Sequence, residues 1–235
     1  MKILVSDYDK TFYINDSDIE LNKKYIDEFM SLGNLFIINT GRSYTDLYKE
    51  LNKYKFNYNY AILNHGATII DRYDNIIFNK SIDDDIVDSL KKDLEIEKTI
   101  SYFFCSKLEN SMELELKNLT KINVRYSSEN YAKDKNDYIN NKYKEYVNCY
   151  YVGFAELEII SKDTSKKDAI NYLMNLNNFN KGDIYTIGDS YSDIDMIKEF
   201  NGFCMKDSIS ELKIHAIKEY DSVSNLIIDI IDDIK

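Results

Sequence analysis

The chain contains no proline, no tryptophan and only three cysteines. Without proline, slow X-Pro isomerisation cannot limit folding. Cys105, Cys149 and Cys204 are odd in number and far apart, with no CxxC pair. Neither a disulfide framework nor a thiolate zinc site is expected; reduced thiols in a cytoplasmic protein fit this usage. No apolar run approaches the roughly 18 residues that a membrane span needs. The run Ile3-Leu4-Val5 stops at Asp7, too short for a signal peptide, and no small-residue cleavage site follows. Basic residues are outnumbered by acidic ones, 30 to 41, and the net charge is −11. Such a surface repels nucleic-acid backbones, and no dense basic patch with interleaved aromatics offsets that. Internal repeats are missing too, and nothing indicates an obligate protein partner.

What is present is core-forming material. The 235 residues are 44% hydrophobic, enough for one large domain or a core with a smaller partner. Strand and helix patterns alternate in the first half. Ile3 to Ser6, Leu35 to Ile38 and Tyr60 to Leu63 are buried-strand runs. Helical periods cover Ile19 to Leu32, stopped by Gly33, and the stretch through Leu47 and Leu51. Thr68-Ile69-Ile70 and Ile76-Ile77-Phe78 flank a turn-like segment and suggest a hairpin. From about Ser81 the texture changes. Asp83-Asp84-Asp85 suits a helix start. Tyr102 to Phe104 and the alternating Met112 to Leu116 suit strands, and Ala155 to Ile160 another. Ser128 to Tyr146 suits either an amphipathic helix or a mobile surface segment. The α/β pattern then resumes with helix Ser165 to Leu176, strand Ile184 to Ile187, helix Asp193 to Phe200, strand Gly202 to Met205 and helix Ser224 to Ile234. The expectation is one α/β domain interrupted by a module over roughly Ser81 to Ile159.

Four of the strand runs end in polar residues: Asp7, Asp9 and Thr11; Thr40, Gly41 and Arg42; Asn64, His65 and Gly66; and Gly188, Asp189 and Asp193. In an open parallel sheet, ligands bind outside the carboxyl ends of the strands. Asp7 and Asp9 are the most informative, because paired carboxylates at a buried strand end repel each other until a divalent cation joins them. Taken singly, each residue has an ordinary use. Thr40 could cap the following helix, Asp189 or Ser190 could cap another, and Asp193 could be a first-turn acid. Lys166 and Lys167 could be solvated, and His65 could be a hydrogen-bonded turn residue.

Together, and in order, these elements resemble the haloacid dehalogenase (HAD) superfamily. Asp7-Tyr8-Asp9-Lys10-Thr11 resembles its DxDxT motif, and Thr40-Gly41-Arg42 the second motif as TGR. Lys166 resembles the third-motif lysine, and Gly188-Asp189-Ser190-Tyr191-Ser192-Asp193-Ile194-Asp195-Met196 the GDxxNDxxM element. The insertion point resembles that of a C2-type cap in the Cof-like IIB branch. The resemblance spans essentially the whole chain. It implies a Rossmann-like three-layer core with a parallel sheet over 1–80 and 160–235, and an inserted α+β cap domain over 81–159.

The implied chemistry is Mg²⁺-dependent phosphatase action on a small phosphorylated metabolite, a sugar phosphate being one candidate, through an aspartyl-phosphate. Asp7 would be nucleophile and metal ligand, and Asp9 acid/base and metal ligand through its carbonyl. Asp189 and Asp193 would complete the metal site, and Lys166 would neutralise charge and hold the nucleophile. Thr40, Gly41, Arg42, His65 and Lys166 would serve phosphate or substrate binding. Three residues depart from the pattern: Lys10 for glycine, His65 for the asparagine of an NGA element, and Ser192 for asparagine. Asp207 could lie near the metal or Lys166. Two alternatives share the motifs: a sugar phosphomutase with the same aspartyl-phosphate, and a catalytically silent phosphate-binding regulator.

Overall fold

The structure, a computed structural model, describes residues 1–232. Its first part runs β1 (Ile3–Ser6), α1 (Asp16–Ser31), β2 (Leu35–Asn39), α2 (Tyr44–Tyr54), β3 (Tyr60–Leu63), β4 (Thr68–Asp71) and β5 (Ile76–Asn79). Then come α3 (Asp84–Asp93), β6 (Ser101–Ser106), β7 (Glu109–Ser111), β8 (Lys121–Arg125), α4 (Glu129–Lys142), β9 (Val147–Gly153) and β10 (Glu156–Ser161). The chain continues through α5 (Lys166–Asn177), β11 (Ile184–Gly188), α6 (Ile194–Glu199), β12 (Asn201–Met205), α7 (Ser210–Lys213), β13 (Glu219–Tyr220) and α8 (Val223–Asp232). The expected last helix reached Ile234, which lies outside the described residues.

Two sheets organise these elements. The larger has the order β13-β12-β11-β1-β2-β3-β4-β5; only its β4–β5 end is antiparallel. Its central strands are apolar on both faces because helices cover both. Leu4, Phe36 and Ile38 pack toward α1 and α8, whereas Ile3, Val5 and Ile37 pack toward α5 and α6. The result is three layers. Register fixes the site: Ser6 lies level with Ile38 and Ile187, so β1, β2 and β11 end together. Asp7, Thr40 and Asp189 therefore leave one edge of the sheet.

The second sheet is antiparallel, ordered β7-β6-β8-β10-β9. It has its own core, from Ile82 through Phe104, Ile122 and Leu157 to Ile159, with α3 and α4 packed on it. One strand expectation needs correction. Met112 to Leu116 is a turn-rich segment, not a strand: Met112 and Leu114 are exposed, and Lys91 donates to the carbonyls of Leu114 and Leu116. The strands the pattern missed are β7, β8, β9 and the short β13. Ser128 to Tyr146 contains a helix, α4, capped by Ser128.

Glycine is scarce, and the described backbone compensates. Eleven non-glycine residues have positive φ against three glycines, Asn and Lys supplying six of the eleven. Lys10, at φ 61°, is one of them. Its backbone explains why glycine is common at this position of the motif.

Candidate active site

The loop after β1 is built around Asp7. Its amide is pinned by the Ile187 carbonyl at 3.0 Å and its carbonyl accepts from the Phe12 amide at 3.2 Å. The intervening amides of Tyr8 and Asp9 have no acceptor among the described residues. Two free N–H groups beside a buried carboxylate are donors of the kind that can take an anion's oxygens.

Asp7 is only 5% exposed. Its Oδ1 lies 2.6 Å from Lys166 Nζ, which also reaches Asp193 Oδ1 at 2.7 Å. Ser165 caps α5 and sets Lys166 in its first turn, and the Asn39 amide holds the Lys166 carbonyl at 3.1 Å. Asp193 is oriented by the Asp189 and Ser190 amides and by Ser190 Oγ at 2.8 Å, in a reciprocal capping arrangement. Among the described residues, Asp189 Oδ1 takes only the Thr11 hydroxyl, at 3.3 Å. Ligand oxygens of Asp7, Asp189 and Asp193 lie within 4.8 Å of one another.

This clustering has electrostatic consequences. Burial, with Asp193 and Asp189 alongside, pushes the Asp7 carboxyl well above the usual range against the pull of Lys166. Burial and Asp193 push Asp189 up to about 6, with Lys166 and Lys10 opposing. Burial disfavours the Lys166 charge, but Asp193 and Asp7 outweigh it and hold the ammonium charged. Carboxylates that resist ionisation together are suited to a divalent cation, which neutralises them.

The atoms fit such an ion. Asp7 Oδ2, Asp189 Oδ2 and the Asp9 carbonyl carry no hydrogen bond among the described residues. Both Asp193 oxygens are engaged, one by Lys166 and one by the Asp189–Ser190 turn.

The Asp9 side chain points elsewhere. Its two oxygens are held by Arg42 Nε at 2.9 Å and an Arg42 terminal nitrogen at 2.8 Å. Arg42 also reaches Glu50 at 2.8 Å and lies over the Tyr8 ring, whose hydroxyl donates to Glu50. The guanidinium is thus committed to two carboxylates, and taking a phosphate oxygen would mean sharing one of its N–H groups. Thr40 is buried, and its Oγ1 accepts from the Arg42 amide at 3.1 Å. Ser43, not Thr40, caps α2. Ser192 contacts Ser190 at 3.2 Å. Asp207 is outside the carboxylate cluster.

A cavity of about 570 Å³ joins this edge to the antiparallel sheet. Its floor includes Asp7, Asp9, Lys10, Gly41, Arg42, Lys166 and Asp189. Its roof was not legible beforehand. Phe103, Asn123, Glu158 and Tyr150 form one cross-strand row over β6, β8, β10 and β9, and all four line the cavity. Lys121, only 1% exposed, lies two residues before Asn123. Glu158 between Leu157 and Ile159 is the signal that could have been read: a charge inside an apolar strand.

The sheet edge, the buried Asp–Lys–Asp cluster and the roofed cavity meet in one place. The chain belongs to the haloacid dehalogenase-like hydrolases, whose family pattern matches residues 4–109 and 91–225; it lies in the Cof-like branch. A protein of Buchnera aphidicola that carries a provisional phosphatase name is 25% identical over 94% of this chain and 95% of its own. An uncharacterised protein of Mycoplasma capricolum is 28% identical over 85% and 88%. Among solved structures, a HAD/COF-like hydrolase from Plasmodium vivax superposes with a TM-score of 0.86 at 18% identity, covering 100% of this chain and 96% of that one. A HAD subclass IIB sugar phosphatase superposes with a TM-score of 0.80 at 16% identity, covering 98% and 99%. The larger sheet with its helices is thus the Rossmann-like core and the antiparallel sheet the cap fold. Among the described residues no helix is long and apolar enough to cross a membrane.

The shifted Asp189 gives a pH prediction. A carboxyl raised from 3.8 to about 6 on folding binds its proton more tightly in the folded state. Its contribution to stability is present below 3.8 and lost as pH rises through about 6. A divalent cation needs the ionised form and competes with that proton. In thermal melts, Mg²⁺ is expected to raise Tm little at pH 5 and most above pH 7. The same increment at both pH values, or an undiminished one in Asp189→Asn, contradicts the site.

Proposed function

We propose that this chain is a Mg²⁺-dependent phosphatase that cleaves a small phosphorylated metabolite through an aspartyl-phosphate on Asp7. The observation that carries this reading is the buried Asp7–Lys166–Asp193 cluster beside Asp189 and two free amides. A phosphate monoester carries about two negative charges near neutral pH, so an anionic nucleophile attacks only where charge is neutralised. Asp7, Asp189 and the Asp9 carbonyl would hold Mg²⁺, with Asp193 supporting them. When bound, the ion would neutralise both the carboxylates and the ester oxygens.

In the first step an Asp7 oxygen forms a bond to phosphorus as the ester P–O bond breaks. Lys166 keeps Asp7 oriented and ionised, and the Tyr8 and Asp9 amides and Thr40 take the phosphoryl oxygens. Asp9 gives its proton to the leaving alcohol once Arg42 frees one of its oxygens. It then takes a proton from the water that attacks the same phosphorus, and Asp7 is released. The cap roof favours a hydroxyl-rich leaving group: Asn123 and Glu156 offer amide and carboxylate groups beside Phe103 and Tyr150. A sugar phosphate meets that description. Three free, buried cysteines suit a cytoplasmic setting.

The test is phosphate release from a panel of phosphorylated metabolites with Mg²⁺. Release from at least one sugar or polyol phosphate, abolished by chelation and restored by Mg²⁺, is expected. No release from any ester contradicts the proposal.

A further inference from the structure

The cavity roof and floor are tied by a second buried ionic group, away from the carboxylate cluster. Glu158 on β10 lies 2.5 Å from His65 Nε2 through Oε2 and 2.5 Å from Lys121 Nζ through Oε1. Lys121 Nζ in turn donates to the Gly41 carbonyl at 2.7 Å. His65, Lys121 and Glu158 are each more than nine-tenths buried. Buried charges stabilise folds poorly compared with apolar packing of similar volume, so this group calls for another role.

Its surroundings point to one. Asn64, His65 and Gly66 all have positive φ, at 51°, 52° and 105°. That costs energy at the first two residues. The strained turn touches three parts of the site. The His65 amide donates to the Thr40 carbonyl at 3.1 Å, and the Asn64 amide to the Arg42 carbonyl at 3.0 Å. Gly66 packs so tightly on the start of α5 that a Cβ there would fall 2.2 Å from the Ser165 carbonyl oxygen, next to Lys166. Gly41 lies under the His65–Glu158 pair, where a Cβ would meet the imidazole at 2.4 Å.

We propose that Glu158 and His65 are positioning residues through which the cap sets the geometry of the phosphoryl site. Glu158 acts on Gly41 through Lys121, and on the Thr40–Arg42 loop and the base of Lys166 through His65. The assignment rests on the phosphatase reading for its kinetic consequences, not for its geometry. The imidazole is neutral with its hydrogen on Nε2. Glu158 needs a donor there, and Nδ1 is buried without a partner, which a lone pair tolerates better than an N–H. Burial lowers the His65 pKa, with Lys166 and Lys121 nearby and Glu158 opposing, in agreement.

The groups touched by Glu158 belong to the protein, so its loss is expected to act on turnover whatever alcohol leaves. The experiment uses the full chain with Mg²⁺ and two phosphate esters of dissimilar leaving group. Glu158→Gln and His65→Asn are each expected to lower kcat about tenfold on both esters with KM within about twofold, and the double variant to be no worse than the poorer single. Asparagine tolerates the left-handed backbone, so His65→Asn removes the bond even where Glu158→Gln, which unpairs Lys121, fails to fold. Effects confined to KM on one ester mean direct substrate contact and overturn the proposal. So does a lower Tm with kcat per folded molecule unchanged. A third readout needs no activity: the chain has two histidines, and ¹⁵N spectra of the rings are expected to show His65 as the Nε2–H tautomer at neutral pH. An Nδ1–H or doubly protonated ring overturns the geometry. If the wild type cleaves no ester, the phosphatase reading fails and the spectra alone judge the clasp.

Discussion

Asp7→Asn is expected to lower kcat by at least about 10⁴-fold, with only residual catalysis from binding and charge. The amide keeps the shape of the side chain and still meets Lys166, but it cannot form the acyl phosphate. Misfolding is not the expected cause. Asp7 is forced above its ordinary range by burial and by two neighbouring carboxylates, so a neutral isostere removes repulsion. The metal-free variant is therefore expected to melt at or above the wild-type temperature. Phosphate release in the presence of Mg²⁺ and a melt without it check both halves. An active Asp7→Asn, or one inactive only because it unfolds, contradicts the assignment.

The second large effect is at Lys166. Lys166→Met removes the cation that touches both Asp7 and Asp193, at 2.6 and 2.7 Å. Breaking a buried pair by deleting one partner costs about 3–5 kcal/mol, though protonation of Asp7 relieves part of that. Protonation also disarms the nucleophile, so turnover is expected to fall by about 10³-fold. Mg²⁺ is expected to recover part of the lost Tm, because the ion takes over some of the neutralisation, but little of the rate. Melts and steady-state rates with and without Mg²⁺ test this; wild-type turnover in Lys166→Met contradicts it.

The core was legible because its strands are buried on both faces. Ile3 to Ser6, Leu35 to Ile38 and Ile184 to Ile187 each read as apolar runs, and the chemistry sits where each run stops. Register could not be read from the sequence, yet it is what brings Asp7, Thr40 and Asp189 level. The cap was less legible for a physical reason. β8, Lys-Ile-Asn-Val-Arg, turns Lys121 and Asn123 into the cavity, so a functional face looked like a solvated one. Met112 to Leu116 shows the opposite error: its alternation is real, but no sheet edge receives it. In α4 the buried positions Ala132 and Ile139 are seven residues apart, too sparse a stripe to separate a helix from a polar surface segment. The pairing of Asp9 with Arg42 was also beyond reach, since both residues read as site residues in their own right.

The most direct test of the central claim is the stereochemical course at phosphorus, followed with an ester made chiral by oxygen isotopes. Two in-line displacements, one by Asp7 and one by water, predict retention of configuration. Inversion would mean that water attacks the ester directly and that Asp7 is not the nucleophile.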